Sequence, residues 1–432
     1  MSPERGTATG ERAFSSSDSR DRSDAQDSPP PSNSQGPTPP SERIVGLDAL
    51  RGFALLGILI INIRVFSMPE SVLANPTVYG DFTGANYWAW FVGHVFAQGT
   101  FIALFTILFG GGIVLFTRRA ERGGQPTFDL HFWRTGWLLA FGLLHAYLLW
   151  YGDILVAYAV CALFVVFLRD LGPRVLATVG VLVLAVPSLI ETMAGFLVDP
   201  SVVASTWQPT EDTIRAELEA YRGGWTDQLS HRVPAAFSRQ TAGFLSYTAF
   251  RVGGLMLLGM ALFKWGLLTN DRSSRFYRRL IAVGAASGIG VILAGVWYVE
   301  AHNWGIEAAL FFRQFNYWGS IALAGAYIGL VMLYCRWRPA GVVTRGLAAV
   351  GRTAFSNYIL QTVLATSIFY GHGLGLFGHV TRVEALGIVV AIWAIQIPLS
   401  MLWLRYFRFG PIEWLWRVFT YRERQPLRVD RG

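Results

Sequence analysis

The segment from residue 44 to 66, IVGLDALRGFALLGILIINIRVF, sets an aspartate and an arginine three positions apart at the start of a hydrophobic run and places an asparagine inside it. About twenty apolar residues, each rising ~1.5 Å in a helix, cross a bilayer core roughly 30 Å thick. Asp48, Arg51, Leu55, Ile58 and Asn62 recur at helical spacing, so they share one stripe. A charged side chain turned to lipid costs at least about 2.5 kcal/mol. The stripe must therefore face protein or water, and the segment predicts an integral membrane protein with a polar task.

The rest of the chain agrees. Of 432 residues 53% are hydrophobic and only 15% charged, where a soluble domain carries about a quarter charged residues. The net charge of +8 does not imply a nucleic-acid partner, because the basic residues concentrate in short loops beside apolar runs, where membrane orientation accounts for them. Cys161 and Cys335 fall in apolar runs without a partner at metal or redox spacing and read as small packed hydrophobes. Residues 1–42, rich in Ser, Pro, Asp, Arg and Gly, read as a disordered cytoplasmic tail and not as a signal peptide, so the first span itself serves as the targeting signal.

Apolar runs of membrane length occur at about 46–66, 88–116, 132–150, 153–170, 174–196, 246–267, 279–299, 316–335, 347–369 and 385–406. The expected fold class is all-α, a polytopic transmembrane bundle of about ten helices over residues 43–410, with an outer polar loop near 197–245 that holds a short helix around Glu211 to Tyr221. The third and fourth runs, joined only around Tyr151-Gly152-Asp153, should form an antiparallel hairpin. Twenty-four of the arginines and lysines flanking the spans fall on one side and seven on the other, which predicts both termini in the cytoplasm. Residues 411–432 read as an interfacial amphipathic segment and tail, with Trp414, Trp416, Phe419 and Tyr421 among arginines; lining a cytoplasmic entrance is the alternative.

Several polar residues sit at membrane depth. In FWRTGWLLAFGLLHAYLLW, Arg134 and His145 are eleven apart, nearly three turns, so both point the same way. His145 lies close beneath Asp153 at the head of the next helix, and a carboxylate beside an imidazole makes a base able to take a proton from a hydroxyl or amine. The pairs His94–Gln98 and Asn357–Gln361 each share a helix face, with Arg352 at the cytoplasmic end of the second; such amides serve as ligand contacts or as glue between helices. Glu191 and Arg251 are placed to neutralise each other. No metal is expected, since His302, His372 and His379 have no ligand spacing and no carboxylate cluster, and Gly110-Gly111-Gly112 is a packing run rather than a phosphate loop.

On RIVGLDALRGFALLGILIINI, FTILFGGG, GLLHAYLLWYGDILVAYA, GRTAFSNYILQTVLATSIFYGHGLGLFG and GPIEWLWRVFTY, the chain resembles the YeiB family of bacterial multi-pass membrane proteins. More remotely it is similar to transmembrane acyltransferases that open with Leu-Asp-x-x-Arg-Gly, matched here by Leu47, Asp48, Arg51 and Gly52. That resemblance implies transfer of an acyl group from a cytoplasmic donor, with acyl-CoA as co-substrate and no permanently bound cofactor, to a small-molecule, lipid or glycan acceptor reached from the other side. It also implies a membrane-embedded histidine base, for which His145 is the candidate and His94 the competitor. The expected site therefore has His145 and Asp153 as catalytic residues and Asp48, Arg51, Asn62, His94, Gln98, Arg134, Arg352, Asn357 and Gln361 as binding residues, in a protein of the bacterial inner membrane. The rival reading is a transporter or exporter of a small polar solute or lipid along the same polar faces, although no internal repeat supports it.

Overall fold

The computed structural model describes residues 44–429, so the expected tail over residues 1–42 lies outside them, as do residues 430–432. The helices are α1 (Val45–Ser67), α2 (Gly84–Phe96), α3 (Thr100–Arg122), α4 (Thr127–Leu144), α5 (Leu155–Val165), α6 (Pro173–Leu197), α7 (Ala204–Trp207), α8 (Glu211–Arg222), α9 (Leu229–Gln240), α10 (Ala249–Lys264), α11 (Ser274–Ala301), α12 (Ala309–Trp337), α13 (Val342–Arg352), α14 (Ala354–Phe369), α15 (Arg382–Tyr406) and α16 (Pro411–Tyr421). Among the described residues no strand forms, only an isolated bridge between Phe407 and Arg428. The fold is an all-α bundle.

Among the described residues seven helical stretches are long and apolar enough to cross a membrane: Val45–Ser67, Gly84–Arg122, Pro173–Leu197, Leu229–Lys264, Ser274–Ala301, Ile306–Trp337 and Arg382–Tyr406. The three other expected runs are helical but do not meet that measure; they become α4 with a π-type turn over His145–Leu149, α5, and the pair α13 and α14. Helices α6, α11 and α15 turn Leu182, Leu189, Val283, Trp297, Val390 and Leu399 outward. Apolar faces of that extent suit lipid rather than water.

Two expected single spans are broken. The run over 88–116 divides into α2 and α3 at Gly99, whose φ of +75° is left-handed and whose Cβ would stand 2.8 Å from Asn316 Oδ1. The run over 347–369 divides at Thr353, leaving Arg352 at the corner. The expected hairpin is present: Gly142 of α4 lies against Val156 of α5, and His131 Nε2 lies 3.0 Å from the Ala162 carbonyl, so the two helices run antiparallel.

Close approach holds the centre together. A Cβ on Gly52 would fall 1.9 Å from the Leu347 carbonyl oxygen, and one on Gly351 would fall 1.9 Å from that of Asp48, so α1 and α13 cross with each glycine under the other's backbone. Gly110 of α3 and Gly259 of α10 make the same reciprocal contact against Met256 and Ile107. Around these crossings Leu50, Ala54, Leu104, Tyr158, Met256, Met260 and Ala324 are fully buried and form the core.

Candidate functional site: an arginine-ended cavity

The bundle encloses a cavity of about 700 Å³. Arg51 of α1, Arg134 of α4, Arg352 of α13 and Glu413 and Trp416 of α16 line one end. The waist is lined by Leu55, Ile58, Phe105, Leu108, Phe109, Leu138, Tyr158 and Tyr358, with Asn62 and Asp153 in its wall. At the opposite end stand two ion pairs, Glu70 with Arg239 and Glu191 with Arg313, the second at 3.2 Å.

At the arginine end, Arg51 donates to Asp48 Oδ1 at 3.2 Å and to the Gly351 carbonyl at 3.4 Å. Arg134 is held differently: its guanidinium carbon lies 4.6 Å from the ring centres of both Phe116 and Trp416, and Trp416 Nε1 donates to the Arg134 carbonyl at 2.7 Å. Stacking on two rings orients the fork without using its N–H donors. Among the described residues the Arg134 guanidinium makes no hydrogen bond or ion pair, and Arg51 and Arg417 lie within electrostatic reach of it. Glu413 does not neutralise this end, because its carboxylate accepts from the Phe355 and Ser356 N–H groups at 2.6 and 3.2 Å and from Ser356 Oγ at 2.5 Å. It caps the start of α14, where the helix dipole favours a negative charge. The C-terminal segment thus contributes Glu413 and Trp416 to the cavity wall.

In the waist, the expected pair is formed: His145 Nδ1 donates to Asp153 Oδ1 at 2.8 Å, and Asp153 Oδ2 accepts from the Val156 N–H at 2.8 Å. His145 Nε2 is 2.9 Å from Thr362 Oγ1, so both ring nitrogens are engaged. The imidazole is 2% exposed and does not line the cavity. His145 is therefore not the base open to substrate that its spacing suggested: it continues α4, its N–H bonded to the Phe141 carbonyl, and its ring is enclosed between Asp153 and Thr362 of α14. The group on the cavity side is Tyr358, whose ring centre lies 5.0 Å from that of His145 and whose buried hydroxyl lies beside the Ile154 backbone and within electrostatic reach of Asp153.

The remaining expected residues are placed elsewhere. Asp48 stands beside the mouth on Arg51 and does not line the cavity. His94 is stacked between Trp90 and Phe312 and lies 3.0 Å from Gln98, whose amide donates to the Leu73 carbonyl. Asn357 donates to Thr353 Oγ1 and Ser400 Oγ, both at 2.8 Å, while Gln361 donates to Gln396 Oε1 at 3.1 Å. All four are therefore glue between helices, away from the cavity. Arg251 donates to the Tyr317 carbonyl and Ser320 Oγ, and Glu191 takes Arg313 and Gln314 instead, so the expected Glu191–Arg251 pair does not form.

Sequence reasoning missed Tyr358, Glu413, Glu70, Arg239 and Arg313 as residues of this cavity. Tyr358 carried one signal, a hydroxyl four residues before Thr362 on the same helix face. Glu413 carried another, a single acid just after Gly410-Pro411 at a helix start.

Residues 262–423 match the family model described as protein of unknown function (DUF418). The chain is 34% identical over 392 residues to the uncharacterised protein YeiB of Escherichia coli (strain K12), covering 89% of this chain and 98% of that one. It is 33% identical to the uncharacterised protein YxaH of Bacillus subtilis (strain 168), over 90% of this chain and 97% of the other. A third relative, described as an uncharacterised 39.9 kDa protein in the amylase 3' region of Bacillus acidopullulyticus, is 27% identical over 89% of this chain. No solved structure matches. These names carry no activity, but identity and coverage of that size show common descent along nearly the whole chain, and the chain belongs to the YeiB family.

Proposed function

We propose that this protein is a membrane-embedded transferase of the bacterial inner membrane that moves an acyl group from a cytoplasmic, phosphate-bearing donor of the acyl-CoA type to an acceptor entering at the other end of the cavity. The observation that carries this reading is the unpaired Arg134 fork, fixed between two rings at the end of an apolar cavity with Arg51 and Arg352 beside it. A planar guanidinium with free donors recognises phosphate oxygens two at a time, and the apolar waist suits an acyl arm. In the transfer, the acceptor oxygen or nitrogen bonds to the acyl carbon, the carbon–sulfur bond of the donor breaks, and the thiol leaves with the proton given up by the acceptor. The Tyr358 hydroxyl at the cavity wall relays that proton, taking it from the acceptor as it gives its own to the departing sulfur, and the Asp153–His145 pair stands behind its ring. His145 is thus a positioning residue.

Binding of CoA to purified protein in detergent tests the donor site. Arg134→Ala should weaken binding at least about tenfold, equivalent to about 1.4 kcal/mol; equal affinity in the two proteins removes the reading. A second reading, export of the same anionic amphiphile, is favoured by the engagement of both His145 nitrogens. It expects flux into proteoliposomes with no acyl product, and flux through Tyr358→Phe protein as fast as through wild type.

A further inference from the structure

At the end of the cavity away from the three arginines, hydrogen-bond accounting leaves a cluster unsettled. The hydroxyls of Tyr151, Tyr221 and Tyr370 are buried without partners, as are His231 Nε2 and Arg232 Nε. Native proteins rarely leave one such group unpaired, and here they come from four segments: the hinge before α5, α8, α9 and the end of α14. Their rings touch, with Tyr221 centred 4.6 Å from Tyr370 and 5.2 Å from His231, and Tyr151 centred 6.1 Å from His231.

All three hydroxyls lie within electrostatic reach of one carboxyl, that of Glu217, which is 6% exposed. Glu217 Oε1 accepts the Glu70 N–H at 3.0 Å and lies 3.8 Å from His231 Nε2, too far for a hydrogen bond. A carboxylate has room for about four donors, and this one has a single close donor with three phenols waiting. Glu70 in turn joins this carboxyl to the cavity, since its own carboxylate pairs with Arg239 where both line the outer end.

We infer that Glu217 with Tyr151, Tyr221 and Tyr370 forms a proton-binding site whose occupancy opens and closes the outer end of the cavity through the Glu70–Arg239 pair. With the proton bound, Arg239 belongs to Glu70 and the end is closed. With the proton gone, the Glu217 carboxylate repels Glu70, draws Arg239 and gathers the phenols. The groups facing Glu217 are consistent with this: Glu70 from the turn after α1 opposes its ionisation, Arg239 of α9 favours it, and Arg232 of α9 is spent on the Leu148 and Trp225 carbonyls and Gln228. His372, in the loop after α14, is occupied by Gln228. Burial, followed by the nearby Glu70 charge, pushes the Glu217 carboxyl up to about 7, so the proton comes and goes near neutrality.

The test uses Gln240→Cys, at the outer end of the cavity, and Ser201→Cys on the exposed outer surface as a reference for thiol ionisation; both native cysteines are buried. In right-side-out membrane vesicles a membrane-impermeant maleimide should label the Gln240→Cys thiol, relative to the Ser201→Cys thiol, at least about fivefold faster at pH 8.5 than at pH 6. Adding Glu217→Gln should hold the ratio low at both values, and adding Glu70→Gln, which leaves Glu217 in place, should hold it high at both. A ratio independent of pH in the otherwise native protein, the same rise in Glu217→Gln, or a persisting rise in Glu70→Gln would overturn the inference. None of these outcomes depends on whether the cavity transfers or exports.

Discussion

Arg134 and His145 lie on one stripe of the sequence, yet they meet opposite fates. Arg134 keeps its donors free because two aromatic faces satisfy its charge, whereas His145 spends both nitrogens on Asp153 and Thr362. Removing the imidazole leaves a buried carboxylate with only a backbone donor, so His145→Ala should destabilise the protein by roughly 3–5 kcal/mol, read as a large drop in detergent melting temperature. Thr362→Val should cost only about 1 kcal/mol, since the hydroxyl leaves a neutral nitrogen without its donor. Equal losses from the two substitutions would contradict the ordering. Glu217 makes the pH prediction at this scale. Its carboxyl is pushed up to about 7 from the ordinary 4.5, mainly by burial, so its contribution is complete below about pH 4.5 and is lost as pH rises through 7. Thermal stability should fall over that window by at most about 3 kcal/mol, and the fall should vanish in Glu217→Gln.

At the scale of elements, glycines and caps decide which helices touch. Gly52 and Gly351 let α1 and α13 cross at backbone contact, and the crossing carries Arg51 and Arg352 to one end of the cavity. Gly52→Ala should therefore cost about 1–3 kcal/mol and also weaken CoA binding, where a purely local defect would lower the melting temperature alone. Glu413 ties α16 to the first turn of α14, and Glu413→Ala should cost about 0.5–2 kcal/mol, the worth of a cap, while loosening the wall that Trp416 provides for Arg134. The LDALRG and GPIEWLW motifs acquire a physical content here: each pairs a residue of the cavity with the contact that places it. Periodicity and apolar length marked α1, α3, α6, α11, α12 and α15 in the sequence. The breaks at Gly99 and Thr353 were not marked, because polar residues such as Gln98 or Arg352 inside a run of membrane length read equally well as buried polar groups of one span, and their partners lie on distant helices: Asn316 and Ser320 against Gly99, and Ser400 on the Asn357 that also holds Thr353.

For the whole molecule, the strong excess of arginine on one side of the spans predicts cytoplasmic termini. Reporter fusions at both ends should be active only in the cytoplasm, and a terminus found outside would reverse the two ends of the cavity. Hydrophobic content and helical spacing were enough to read from the chain an all-α membrane bundle, a hairpin at Tyr151-Gly152-Asp153 and a paired His145 and Asp153, because lipid forces backbone polar groups to close within each helix and makes stray charge costly. Which polar residues share a cavity was not readable that way. Asn62 and Gln98, or Arg352 and Gln361, look alike as polar interruptions of apolar runs, and only the packing of distant helices assigns one to a wall and the other to a seam. The same holds for Glu70, Glu217 and Arg239, separated by up to 169 positions and joined only when the outer segments fold over the bundle. A local pattern records what one helix must bury; what that buried face meets is set by contacts between segments far apart in the chain, and these exist only in the folded protein.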